Sequence, residues 1–228
     1  MSSSKAEAAS RLPIVVLLSG YGSNFGAIAA AAGAGRLPVE IRAVLSDRPA
    51  AHGLERARAL GIAAEALAPA NYADRHAHDA ALMARIDACQ PALVVLAGYL
   101  RIFQPPFIAR YAGRLLNIHP SLLPQYRGLD THRRALDAHE AWHGCTVHFV
   151  SDELDGGPLI AQARVAVHSD DTPESLAARV RAREHVLYPT VIDWFARGRL
   201  AERDGLAWLD GRPLRQPVQI EGEHAAPR

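Results

Sequence analysis

Short runs of apolar residues alternate with amphipathic stretches along this chain, a pattern that predicts strands wound by helices. The run PIVVLL (13–18) reads as a buried strand ending at Ser19-Gly20, and a helix carrying Phe25 and Ile28 follows it as far as Gly33 and Gly35. VEIRAVLS (39–46) is a second strand, GLERARAL (53–60) a short helix closed by Gly61, and IAAEAL (62–67) a third strand. Residues 74–89 form a helix with Leu82 and Ile86 on one face. ALVVLAGY (92–99) is a central strand whose unbroken apolar run implies burial on both sides. Pro105-Pro106 opens a helix of one or two turns, and RLLNIH, CTVHFV and LIAQARVAV supply three further strands. Thr172 is an N-cap with Pro173 at the first helical position, for a helix that runs to Ala196. AERDGLAWLDGRPL (201–214) reads as a hairpin with Asp-Gly turns at 204–205 and 210–211. The sum is one α/β domain: a mostly parallel, twisted sheet flanked by helices, with a C-terminal hairpin. It spans residues 13–215, between a flexible extension at 1–12 and a flexible tail at 216–228.

Composition narrows the class. A chain of 228 residues, 49% hydrophobic, is large enough for one proper core. The formal net charge of +1 provides no broad field for nucleic acid or an anionic membrane. Cys89 and Cys145 lie far apart without CxxC spacing, which fits a reduced pair in a cytoplasmic protein. The polar opening residues lack an apolar core, and the run from Ile14 to Leu18 is too short for a signal peptide or a membrane span.

Four segments carry candidate chemistry. Gly20-Tyr21-Gly22-Ser23-Asn24 lies between a strand and a helix, where backbone N–H groups and the helix dipole favour an anion. It fails the dinucleotide fingerprint because Phe25 stands where a third glycine belongs, so a terminal phosphomonoester suits it better; a plain glycine turn with an Asn cap is the competing account. In the strand ending at Pro120, Asn117 and His119 are two apart and share a face. An amide beside an imidazole polarises a carbonyl and stabilises an oxyanion, although polar residues closing a strand would look the same. Asp152-Glu153-Leu154-Asp155-Gly156-Gly157 offers a carboxylate to orient His119 and raise its pKa, or else is an acidic surface turn. Glu184 falls on the apolar stripe of Leu176, Val180, Leu187 and Val191, where a carboxylate requires a partner. A substrate amine and an ion pair with Arg179 or Arg181 are equally open. His139-Glu140-Ala141-Trp142-His143 matches the HExxH zinc pattern, but Gly144 and a strand follow at once, leaving His143 at a helix end or in a loop. A zinc site is not expected there.

LLSGYGSN, LERARALGI, VVLAGYLRI, GRLLNIHPSLLP, HFVSDELDGGPLI and REHVLYP together resemble the folate-dependent formyltransferases, and the first and last of them the phosphoribosylglycinamide branch. The likeness runs from about Ile14 to Leu214 and implies a single Rossmann-like domain. It implies that 10-formyltetrahydrofolate is the co-substrate, that phosphoribosylglycinamide accepts the formyl group, and that no metal takes part. By that likeness Asn117, His119 and Asp155 are catalytic, and Gly22, Ser23, Asn24, Arg181 and Glu184 hold the ribotide. Folate falls to Arg75, Leu100, Arg101, Ile102, Phe103, Asn117, Ser151, Asp152, Glu153, Leu154 and Asp155. The partners implied are small molecules, with no nucleic acid and no membrane, for a monomer or homodimer. The chain departs from the pattern at Gln125, Arg127, Asp130 and Arg181. A formyltetrahydrofolate hydrolase and a non-catalytic nucleotide-binding module remain as alternatives. A tRNA formyltransferase is disfavoured by the lack of a basic footprint.

Overall fold

The computed structural model describes residues 11–220; the first ten residues of the expected extension, and 221–228 of the expected tail, lie outside the described residues. Eight strands form one sheet: β1 (Leu12–Leu18), β2 (Val39–Ser46), β3 (Ala63–Ala66), β4 (Leu93–Leu96), β5 (Leu115–His119), β6 (Trp142–Phe149), β7 (Leu159–Ala166) and β11 (Val218–Gln219). Their order is β11-β7-β6-β5-β4-β1-β2-β3. Pairing is parallel except around β6, which runs antiparallel to β5 and β7. A second sheet is the meander β8 (Leu200–Arg203), β9 (Leu206–Leu209) and β10 (Arg212–Pro213). The predicted hairpin is therefore present and gains a third, two-residue strand.

Period-two alternation places the core on both faces of the sheet. In β1, Ile14, Val16 and Leu18 face a cluster that includes Phe25 and Ile28 of α1 (Ser23–Gly33) and Leu187 and Val191 of α6 (Pro173–Ala196). Val15 and Leu17 face the opposite cluster, with Leu82 and Ile86 of α3 (Arg75–Ala88) and Phe107 of α4 (Pro105–Arg110). The remaining helices are α2 (His52–Ala59) and α5 (Thr131–Asp137). Among the described residues, no helix is long and apolar enough to cross a membrane. Tyr188 of α6 is fully buried, and its hydroxyl lies 3.0 Å from the carbonyls of both Leu96 and Leu116. It thus ties β4 to β5 just where Asn117 emerges.

Two segments depart from the sequence pattern. α5 shows no apolar stripe long enough to read in advance. Residues 216–220, placed in the flexible tail, instead include β11, which pairs with β7 in parallel; Ile220 N donates to Gln162 O at 2.8 Å and Ile220 O accepts from Arg183 at 2.7 Å. A sheet edge offers free backbone groups, so two residues suffice to dock there, and so short a run leaves no periodicity to detect.

Candidate active site

The carboxyl ends of β1, β4 and β5 open onto two adjoining cavities, beside the point where strand order reverses around β1. The first, about 550 Å3, is lined by Gly20 to Asn24, Ala97, Gly98 and Arg181. The second, about 720 Å3, is lined by Leu100 to Phe103, Asn117, His119, Ser151 to Asp155 and Glu184, among others. Asn24 and Gly98 border both.

The first cavity is built on the N-terminus of α1. Gly22 takes φ 73°, and a Cβ there would lie 2.8 Å from Gly53 Cα, so the close approach of loop and α2 admits only glycine. No side chain caps α1, which leaves its first-turn N–H groups available to an anion. Asn24 donates to Glu184 Oε2 at 2.8 Å, while its own Oδ1 is buried without a partner among the described residues. Glu184 therefore has neither arginine as its partner: Arg179 pairs with Asp171, and Arg181 donates no side-chain hydrogen bond among the described residues. Burial raises the Glu184 pKa, opposed by the Asn24 bond and the Arg181 charge.

At the second cavity, β5 and β6 bring four side chains together. Register opposes Asn117 to His148 and His119 to Thr146. Asn117 Nδ2 lies 3.1 Å from His148 Nε2, and His148 Nδ1 lies 2.8 Å from Phe149 O. A carbonyl only accepts, so His148 carries its proton on Nδ1 and receives the amide at Nε2. Burial pushes the His148 pKa down to about 4, which keeps the ring a neutral acceptor. Asp155, in the left-handed region at φ 48°, accepts Gly128 N at 2.9 Å through Oδ2. The same oxygen is 3.4 Å from His119 Nδ1, and Oδ1 is 3.8 Å from His148 Nε2. His119 Nε2 donates to Tyr126 O at 2.9 Å.

Residues 12–192 match the formyl transferase family. The chain belongs to that family. It is 52% identical over 201 residues to phosphoribosylglycinamide formyltransferase of Escherichia coli, a match covering 88% of this chain and 95% of the relative. A phosphoribosylglycinamide formyltransferase structure from Coxiella burnetii superposes with TM-score 0.89 at 47% identity, over 92% of this chain and all of that one. A glycinamide ribonucleotide transformylase from Symbiobacterium toebii gives TM-score 0.85 at 45% identity, over 88% of this chain and 95% of its own.

The sequence-derived residues divide between the two cavities. Asn117, His119 and Asp155 converge, and Gly22, Ser23, Asn24 and Arg181 share one cavity, while Glu184 lines the adjoining one and meets the first only through its bond with Asn24. Leu100, Ile102 and Leu154 are exposed at the mouth of the larger cavity, bridged nearby by the Arg127–Glu153 ion pair. Arg75 does not itself line either cavity; its guanidinium donates to the carbonyl of Ile102, which lines the larger one. The HExxH segment is not helical. His143 lies within β6 rather than at a helix end or in a loop, and His139 sits in a left-handed turn at φ 51°. Among the described residues, no three His, Cys, Asp or Glu side chains cluster to hold a metal.

Three histidines went without a role in the sequence. His148 alternates with Thr146 on β6, a polar pattern on a buried strand that is the one local signal for it. His132 lines the larger cavity, with Nδ1 3.1 Å from His143 Nε2. Burial lowers His132 and pushes His143 down to about 4, with further lowering from neighbouring cations. A consequence follows for stability. These rings have folded-state pKa values below the ordinary 6.5, so on acidification the unfolded chain takes up protons first. Their contribution is intact above about pH 6.5 and is lost toward pH 4, while the raised Glu184 pKa works in the opposite sense. Urea unfolding should show a lower midpoint at pH 5 than at pH 7, and His143→Gln should flatten the difference. A midpoint constant between the two pH values would contradict this account.

Proposed function

We propose that this formyl transferase moves the formyl group of 10-formyltetrahydrofolate to the primary amine of 5-phosphoribosylglycinamide, in purine biosynthesis. The observation that carries the reading is the placement of Asn117, His119 and Asp155 in a cavity that adjoins an anion-binding loop. The ribotide phosphate sits on Gly22, Ser23 and Asn24 with Arg181 supplying charge, and Glu184 receives the glycinamide end. The folate occupies the larger cavity, against Leu100 to Phe103 and Ser151 to Asp155.

The amine attacks the formyl carbon, and a C–N bond forms as the carbonyl electron pair moves onto oxygen. Asn117, with its amide fixed by His148, and protonated His119 stabilise that oxyanion. Asp155 holds His119 and helps move the proton lost by the amine to folate N10. Collapse of the intermediate breaks the N10–carbon bond and releases tetrahydrofolate and formylglycinamide ribotide.

The test is direct. Purified enzyme with 10-formyltetrahydrofolate should yield tetrahydrofolate only when the ribotide is present. Equal turnover without ribotide would mark a hydrolase, and no turnover with it would sink the assignment. The phosphate reading has its own measurement. Ser23→Ala and Arg181→Gln should each raise the ribotide KM about tenfold with kcat nearly unchanged, the effect of losing one charge-assisted bond of about 1.5 kcal/mol. An unaltered KM in both would place the phosphate elsewhere.

A further inference from the structure

The transfer chemistry makes no use of a side-chain network that lies behind His119. Tyr126, whose carbonyl accepts His119 Nε2, belongs to the irregular connection between β5 and α5 and takes φ 55°. Neighbouring carbonyls of that loop are held by side chains: Gln125 O accepts Ser121 Oγ at 2.6 Å, and Arg127 O accepts Arg134 Nη1 at 2.6 Å. The Tyr126 carbonyl is therefore the one left to His119. Its side chain is anchored separately. The hydroxyl donates to Glu140 Oε1 at 2.7 Å, and the Arg134 guanidinium lies 5.3 Å from the ring centroid. Glu140 is itself fixed, its N–H donating to Ala135 O at 3.1 Å at the end of α5.

We propose that the Tyr126–Glu140 bond is a positioning device for His119, holding the Tyr126 carbonyl so that the imidazole keeps its proton on Nε2 and turns Nδ1 to Asp155. A carbonyl cannot donate, so Nε2 must be the protonated nitrogen while that contact lasts. Nδ1 is then the position at which the ring gains and loses its proton, 3.4 Å from the Asp155 carboxylate. Glu140 and Tyr126 act through His119 and are positioning residues. The inference rests on the catalytic reading of His119.

The experiment uses the full chain. Tyr126→Phe keeps the backbone carbonyl and removes only the hydroxyl. It should lower kcat five- to tenfold while both substrate KM values stay within twofold. Glu140→Ala should match it, and the double variant should lose no more than either single one. Glu140→Gln, whose carboxamide oxygen still accepts the phenol, should recover at least half of the lost turnover. Nitrogen-15 histidine spectra should show the Nε2–H tautomer of His119 depleted in Tyr126→Phe, a readout that holds even if His119 proves not to be catalytic. An unchanged tautomer, additive losses in the double variant, or wild-type kcat in Tyr126→Phe when His119→Ala has lost turnover would each overturn the proposal, whereas full turnover in His119→Ala would overturn the catalytic reading instead. A fall in melting temperature with kcat intact would overturn it as well, by reducing the bond to a structural role.

Discussion

His119→Ala is expected to lower kcat by about 10²- to 10⁴-fold, the range associated with loss of a positioned acid or base, while ribotide affinity stays within a few-fold of the original. The separation follows from geometry. Ribotide contacts are assigned to the cavity of Gly20 to Asn24 and Arg181, which His119 does not line. Removing the ring leaves Tyr126 O without its donor, but Asp155 keeps the Gly128 N–H. The substitution thus strips the proton-bearing group from the site and leaves the surrounding loop tied by its other bonds, including Thr131 Oγ1 to Pro120 O at 2.7 Å and Thr146 Oγ1 to Ser121 O at 2.7 Å. Steady-state kinetics with calorimetric titration of the ribotide checks both halves. Retained turnover would remove His119 from the chemistry. Joint loss of turnover and binding would make its role structural.

Much of this arrangement is legible because it is local. The two-residue spacing of Asn117 and His119 on β5 decides that they share a face, and Pro120 decides that they sit at the strand end. Glu184 betrays itself by falling on a buried helical stripe. Its partner does not, because Asn24 lies 160 positions away and only the packing of α1 against α6 joins them. His148 is hidden for the same reason. Its hydrogen bond to Asn117 depends on the antiparallel register of β5 and β6, set by a connection of some twenty residues that no local periodicity encodes. Arg75 is tied to the larger cavity in a way spacing could not show, through the carbonyl of Ile102, 27 positions away. The β11 strand was unreadable because its stability comes from the edge it docks on and not from its own two residues.

Gly157→Ala should cost about 3 kcal/mol of stability, the scale of overpacking against an immovable neighbour, and lower turnover at least tenfold. A Cβ on Gly157 would sit 2.0 Å from Phe149 O and 3.0 Å from its carbonyl carbon, and neither can swing aside. Phe149 is in β6, its N–H donates to Pro158 O at 3.0 Å, and its carbonyl accepts the Nδ1 proton of His148 at 2.8 Å. Displacing that carbonyl therefore frees the tautomer of His148, and with it the acceptor that fixes the Asn117 amide. A steric fault on one loop reaches the Asn117 amide, the group proposed to stabilise the oxyanion, through two hydrogen bonds. Gly156→Ala is the control. Its Cβ would meet Glu153 Oε2, Cδ and Cγ at 2.4, 2.5 and 2.6 Å, all atoms of one flexible exposed side chain that can rotate away as a whole at the expense of the Arg127 ion pair. Exposed pairs of that kind contribute about 0–1 kcal/mol, so Gly156→Ala should stay within about 1 kcal/mol of the parent and keep most of its activity. Urea unfolding and kcat, measured on both variants side by side, decide the matter. Equal stability in the two would mean that the loop backbone relaxes freely, and that Gly157 is not what holds Phe149, His148 and Asn117 in line.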